Sequence, residues 1–480
     1  MRARSWSPRR RGVGPLLIAA LAIATPALRA QELDRSKRPT VPPPAPFKFP
    51  KVDLRTLGNG IPVAIVENHD LPIVAVRAVI AGGSRLDPVG KEGVWQLVAA
   101  MLREGTATLS ADQLAQSFAD LGSTVLPTGF TTITRHFPRS VELMTEMLMR
   151  PSFPPAAFER QKANLVSGVQ RAKEQPSALA TRVLSRVLYG AGHPFERAAT
   201  EQSVATITRD DLLTYHMQYL RPENVKLVVA GDVRAASVMA LLERTLGRWP
   251  PGGTRPPSTV PIPKNVAGTT IYLLDRPNSP QSTVLVGRIG PQRTTADFYA
   301  LEALNTVFGA LSGSRLNQIL RERRAFTYAA RDSIVWRRAP EPSTFLGSAD
   351  IAMAKTDSAL MLWVSELTDI RASRPVTDEE LDFAKSNRVA GLPRLFESID
   401  GLATRIAGLL DNGLPLNFYE QYMTRIARLT TADLAAAAKR HVDPDHLAIV
   451  VVGDRRRIEP ALRAANIAPI VIVDDVGNTR

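Results

Sequence analysis

The chain has 480 residues, 44% of them hydrophobic and 22% charged, with 60 basic against 46 acidic side chains and no cysteine. That length exceeds one hydrophobic core, and the missing cysteines exclude a disulfide framework and any thiolate metal site. Basic residues are scattered rather than striped and only 6% of residues are aromatic, so a nucleic-acid partner is not expected.

The first 30 residues read as a secretory signal. Arg2, Arg4, Arg9, Arg10 and Arg11 precede an apolar stretch, 12–28, with cleavage expected near Ala30–Gln31. A retained N-terminal anchor is the alternative, which Pro15 and Pro26 disfavour. Removal of the signal lowers the net charge from +14 to +8. No later apolar run approaches the roughly 18 residues that would span a bilayer. Export without cysteine points to a bacterial periplasm. Residues 31–50 carry six prolines and form an extended leader.

A first domain is expected over 51–248. Strands are predicted at 61–66 and 73–80, the second returning antiparallel to the first. Helices follow over 93–103, 111–121 (N-capped by Ser110), 141–149, 155–173 and 210–219 (capped by Thr208), and a strand over 225–230 closes the half. Residues 249–264 hold six prolines and two adjacent glycines, the composition of an interdomain linker. A second domain over 265–470 repeats the plan. Strands 269–274 and 282–289 precede helices 297–308 and 314–323. Thr377 caps a helix over 378–389, with Glu380 at capping-box spacing. Thr430 caps the last repeated helix, and 447–452 is its closing strand.

The two halves are copies in register. Thr208, Asp211, Pro222, Gly231 and Asp232 recur as Thr430, Asp433, Pro444, Gly453 and Asp454, each 222 residues on. Solenoid repeats are roughly 20–50 residues long, so a whole domain has been duplicated. The fold class is α+β, with a mainly antiparallel sheet and packed helices in each half.

Leu57-Gly58-Asn59-Gly60 before a strand, Gly83-Ser84, Gly93 with Met101 and Gly105-Thr106, and the repeated strand ending in Gly-Asp together resemble the insulinase (pitrilysin) zinc metallopeptidases. The resemblance covers nearly the whole mature chain. It implies two α+β domains that close like a clam around an unfolded peptide. It also implies an inverted zinc motif, His-x-x-Glu-His, on the first helix, where two His bind zinc and Glu polarises the metal-bound water. Here Gln96 and Ala100 stand at the His positions and Ala99 at the Glu position. The more distant Glu ligand would fall near 166–168, where no carboxylate is present. Among the six histidines no two are four apart, and only His193 has a Glu, Glu196, three residues later. No metal is expected on this chain.

In the second half, Gly313-Ser314-Arg315-Leu316 leads to Arg321 and Tyr328, which match the family's substrate-binding Arg and Tyr. A guanidinium and a phenol so placed hydrogen-bond a substrate carbonyl and its developing oxyanion. Each also has a structural use: a cation in a last helical turn favours the dipole, and a tyrosine opening a strand packs. Ala325 occupies a helix-end position where the family has Gly.

The resemblance therefore implies a non-catalytic subunit, inactive alone, of a heterodimeric zinc metalloendopeptidase. A zinc-bearing insulinase-type partner would hold the metal, and both chains would enclose extended peptides. The alternative is a peptide-binding or scaffold protein of the same fold without peptidase activity.

Overall fold

The computed structural model describes residues 48–480. The expected signal, 1–30, and the leader up to residue 47 lie outside them.

Long apolar runs rich in Val and Ile build the centre of two six-stranded sheets. The first comprises β1 (Asp53–Thr56), β2 (Pro62–Glu67), β3 (Ile73–Ile80), β4 (Thr124–Leu126), β5 (Gly129–Ile133) and β6 (Val225–Gly231), in spatial order β1-β2-β6-β3-β5-β4. The second comprises β7 (Thr270–Asp275), β8 (Gln281–Gln292), β9 (Thr327–Val335), β10 (Pro342–Ala352), β11 (Ala448–Gly453) and β12 (Ile470–Val473), ordered β12-β7-β11-β8-β10-β9. Five strands correspond one to one. The sixth does not: β1 precedes β2 and pairs antiparallel to it, whereas β12 follows the repeat and runs parallel to β7. The remaining pairs are antiparallel except β2–β6 and β7–β11, so each half is the α+β unit expected.

One pairing differs from the sequence-based expectation. β3 runs antiparallel to β2 but does not touch it, because β6 lies between them, with Ala230 opposite both Val66 and Ala75. The cause is burial on both faces. Residues 63–66 and 74–76 are fully buried, and strands of that kind need a neighbour on each edge and a layer on each face.

The first half contributes α1 (Val94–Met101), α2 (Pro155–Lys173), α3 (Pro176–Tyr189) and α4 (Arg209–Tyr219); the second, α5 (Phe298–Asn305), α6 (Ile399–Asn412), α7 (Phe418–Arg428) and α8 (Thr431–His441). One face of each sheet is covered by helices of its own half; α3 and α6 cover the other face, because the halves exchange them. Side chains alternate along a strand, so Val63, Ile65, Val74, Val76 and Val229 meet their own half's helices. Ala64, Val66, Ala75, Val228 and Ala230 point the other way and pack on Ile399, Leu402, Ala403 and Ile406 of α6. Reciprocally, Leu274, Leu285, Ala448, Val450 and Val452 pack on Leu179, Ala180, Val183, Leu184 and Leu188 of α3. Neither exchanged helix was among the predicted elements. The 249–264 segment contains no helix or strand.

Polar contacts follow the same exchange. The Arg77 guanidinium pairs with Asp400 and donates to the Phe130 carbonyl (3.0 Å), and Lys226 donates to the Leu410 carbonyl (2.5 Å). Phe49, at the end of the leader, stacks on Tyr419 at 5.8 Å. Burying each Leu or Ile of the exchanged helices contributes about 1.5–3 kcal/mol. Ile406→Ala should therefore lower stability by about 2–4 kcal/mol. Because Ile406 carries the outer face of the first sheet, calorimetry should show both halves melting earlier in one transition. Loss confined to the second half would contradict this packing.

Candidate functional site

α1 carries the degenerate metal positions. Gly93 precedes it with φ 117°, and a Cβ there would stand 3.1 Å from Leu165, so α1 lies close on α2. Asp87 holds the first turn by accepting from the backbone N–H groups of Gly93 and Trp95, both at 2.8 Å. Val94, Leu97, Val98 and Met101 are buried. The opposite face presents Gln96, exposed, with Ala99 and Ala100, half-buried, at i, i+3 and i+4. This is the face a zinc set would occupy, and an amide with two methyl groups supplies neither ligand nor base.

No nearby group replaces them. Residues 166–168 of α2 are Val166, Ser167 and Gly168. Glu104, just beyond α1, accepts from Gln161 at 2.6 Å and pairs with Arg160. Among the described residues no cluster of three His, Asp or Glu side chains could hold a metal ion.

Each histidine is committed elsewhere. His193 accepts from the Phe195 N–H through Nδ1 (3.1 Å), so its Nε2 donates to the Pro261 carbonyl (2.8 Å), and the ring stacks on Tyr189. His216 donates to the Leu148 carbonyl at 2.8 Å, and burial lowers its pKa, keeping it neutral. His136 contacts the Leu121 carbonyl, and His69, His441 and His446 contact Asp232, Asp297 and Asp443.

The second-half pair is brought together. Arg321 lies in a π-helical turn, Gln318–Arg323, and its guanidinium sits 5.2 Å above the Tyr328 ring. Such a stack is worth about 0.5–1 kcal/mol at an exposed site. Tyr328 is 85% exposed on β9, the edge strand. A bulge there sets Tyr328 and Ala329 opposite Asp350, held by Thr327 Oγ1 donating to the Asp350 carbonyl (2.6 Å). The Tyr328 hydroxyl makes no protein hydrogen bond among the described residues. No hydrogen bond, ion pair or ring contact joins this pair to Gln96, Ala99 or Ala100.

Two helices expected as continuous α-helices each change to a π turn. Phe298–Asn305 continues as Thr306–Ala310, and Arg315–Asn317 as Gln318–Arg323. Close backbone approach accompanies both. A Cβ on Gly309 would stand 2.6 Å from Asp332 Oδ1, and buried Asn317 donates to the Ala330 carbonyl (2.6 Å) while accepting its N–H (3.0 Å). Ala325 then takes φ 51°, the left-handed geometry for which Gly is suited. Its N–H bonds to the Arg321 carbonyl (3.0 Å) and the Phe326 N–H to that of Leu320 (2.8 Å). The turn keeps its glycine conformation without the glycine.

The family model described as Insulinase (Peptidase family M16) matches residues 62–197, and that described as Peptidase M16 inactive domain matches 206–388. A Helicobacter pylori protein described as a non-peptidase homolog is 21% identical, with 83% of this chain and 93% of the relative aligned. The crystal structure of a peptidase M16 inactive domain from Pseudomonas fluorescens superposes with a TM-score of 0.74 at 25% identity, over 84% of this chain and 98% of that one. A structure described as a protease from Helicobacter pylori gives the same TM-score at 20% identity, over 84% and 100%.

Ala325→Gly should relieve the left-handed strain, which costs roughly 1–2 kcal/mol, less the entropy that Gly adds to the unfolded chain. A net gain of about 1 kcal/mol is expected as a higher urea midpoint at unchanged slope. A lower midpoint would show that the turn tolerates alanine without strain.

Proposed function

The chain belongs to the insulinase family, peptidase family M16, as a non-catalytic type of member, and we propose that it serves as one subunit of a heterodimeric zinc-dependent peptidase. In this reading a partner chain supplies zinc and its general base. This chain supplies Arg321, Tyr328 and part of the wall around an extended peptide. The observation that carries it is an asymmetry between the halves. The metal face of α1 holds Gln96, Ala99 and Ala100, while Arg321 and Tyr328 stand stacked at an exposed edge with the phenol free.

The chemistry suits that division. A peptide carbonyl polarised by a partner's zinc gains negative charge on oxygen as water attacks. A guanidinium and a phenol already positioned beside one another donate to that oxygen without reorganising. The stack holds Arg321 in one orientation, and the bulge at Tyr328–Ala329 turns the phenol outward from the edge.

Reconstitution tests the assignment. Mixed with a zinc-bearing relative from the same source, the chain should restore peptide hydrolysis that neither shows alone. Arg321→Ala or Tyr328→Phe should lower kcat by about 100-fold, the scale for removing one oxyanion donor, with folding and assembly intact. Unchanged rates in both variants would refute the role of the pair. Peptide binding by the chain alone, with no active mixture, would favour a scaffold instead.

We also place the mature protein in the periplasm, on the strength of the basic and apolar N-terminal segment. Native protein from that compartment should begin near Gln31 by N-terminal sequencing, and an intact Met1 terminus in the cytosolic fraction would overturn this.

A further inference from the structure

The second half encloses a cavity of about 60 Å³ between its sheet and α5. At about 10–15 Å³ for each water-sized atom, it has room for roughly four to six non-hydrogen atoms. Leu304, Phe308, Ile334 and Phe345 supply apolar wall. Around that wall stand polar atoms without partners: the acceptors are both carboxylate oxygens of Asp332, Oδ1 of Asn305 and Oγ of Ser343, and the one guanidinium donor is Nε of Arg288. The three acceptor residues are 6%, 8% and 0% exposed.

Most buried polar side-chain atoms in proteins are hydrogen-bonded, so several orphans around one cavity require an explanation. Asp332 is the extreme case. Arg388, whose charge reaches Asp332, bonds Glu302 (2.7 Å) and Thr306 (2.6 Å), and Arg288 on the cavity wall bonds the His441 carbonyl (2.5 Å) and Asp443 (3.1 Å). The carboxylate abuts Gly309, where a Cβ would stand 2.6 Å from Oδ1, and Asn305 lies one helical turn before that glycine. The Asp332 carboxyl and the Asn305 amide oxygen therefore offer two unpaired acceptors to a space whose wall is mostly apolar.

We propose that this cavity is a binding site for a small primary alkylammonium ion, its ammonium group on Asp332 and Asn305 Oδ1 and its alkyl chain against Leu304, Phe308 and Phe345. The sign follows from Asp332 being the acidic group on that wall with no ion pair, whereas Arg288 is already paired with Asp443. The size follows from the volume. An alkali cation fits poorly, because hard cations need about six or more oxygens and these walls are mostly carbon. Burial pushes the Asp332 carboxyl well above the usual carboxylate range, so binding should release a proton as the carboxylate forms beside the ammonium. The site is separate from Tyr328, which lies four residues away on β9 but is exposed.

The test uses the full mature chain and four probes at equal concentration: n-butylammonium, 1-butanol, butyrate and potassium chloride. Calorimetric titration and thermal melting should show n-butylammonium binding at least about ten-fold tighter than 1-butanol, the gain expected from one charge-assisted contact. Butyrate and potassium should not bind. The net positive charge of the mature chain argues against non-specific uptake of a cation. Asp332→Asn, which keeps the shape, should bring butylammonium and butanol within about two-fold of each other. Equal binding of amine and alcohol by the wild-type chain, or stabilisation by potassium to the same degree, would overturn the proposal. So would a preference for the amine that survives in Asp332→Asn. The wild-type series decides the ligand class even if the variant fails to fold.

Discussion

Each central sheet is apolar on both faces, yet each half covers only one of them with its own helices. Residues 63–66, 74–76 and 225–230 cannot be left half in water, since roughly 25 cal/mol is lost for every Å² of apolar surface exposed. The solution is the exchange of α3 and α6. Leu179, Ala180 and Val183 face the second sheet, and Leu402, Ala403 and Ile406, each 223 residues later, face the first. A tandem duplication with this exchange makes the halves mutually dependent. The chain is two copies of one plan but one compact unit over the described residues, 48–480.

Much of the plan is legible because local rules suffice for it. Thr208 with Asp211 and Thr430 with Asp433 announce their capping boxes, and both form with the same geometry. The alternation of β-branched residues marks β3 to its exact ends. Pairing order is another matter. Nothing local in residues 61–80 states that a strand 150 residues downstream will separate β2 from β3, because that depends on burial of both faces. The exchanged helices are a different kind of omission. α3 begins with Pro176 and carries apolar residues at helical spacing, and α6 runs from Ser398 as cap to Gly413 at its end. Those start and stop signals are present in the sequence. The destination of each helix, on the other half's sheet, is not.

At the candidate site the legible part is chemical identity. Gln96, Ala99 and Ala100 cannot ligate zinc whatever the fold, and the six histidines prove to be engaged one by one in separate local contacts. What the residue types could not convey is that α1 survives without its metal. Its packing resides in Val94, Leu97, Val98 and Met101, and its first turn is capped from outside by Asp87. The face that would bear ligands contributes little to that packing. Helix and metal chemistry are thus separable on this element, and the fold loses nothing essential when the ligands are replaced.

Around Arg321 and Tyr328 the backbone, not helix packing, sets the geometry. Their spacing crosses Ala325, a residue poorly suited to φ 51°, and the turn holds that conformation nonetheless. A strained residue persists only where its surroundings over-determine it. Here the surroundings are identifiable: the Leu320–Phe326 backbone bond, the Asn317 side chain anchoring the π turn to β9, and the Thr327 hydroxyl fixing the bulge. Each acts on the backbone between guanidinium and phenol rather than on either side chain. The pair is therefore set by a frame that tolerates change at its tightest point, which makes its geometry a property of the fold; the Tyr328 phenol stays exposed, and Arg321 pairs with Glu322 at 3.3 Å.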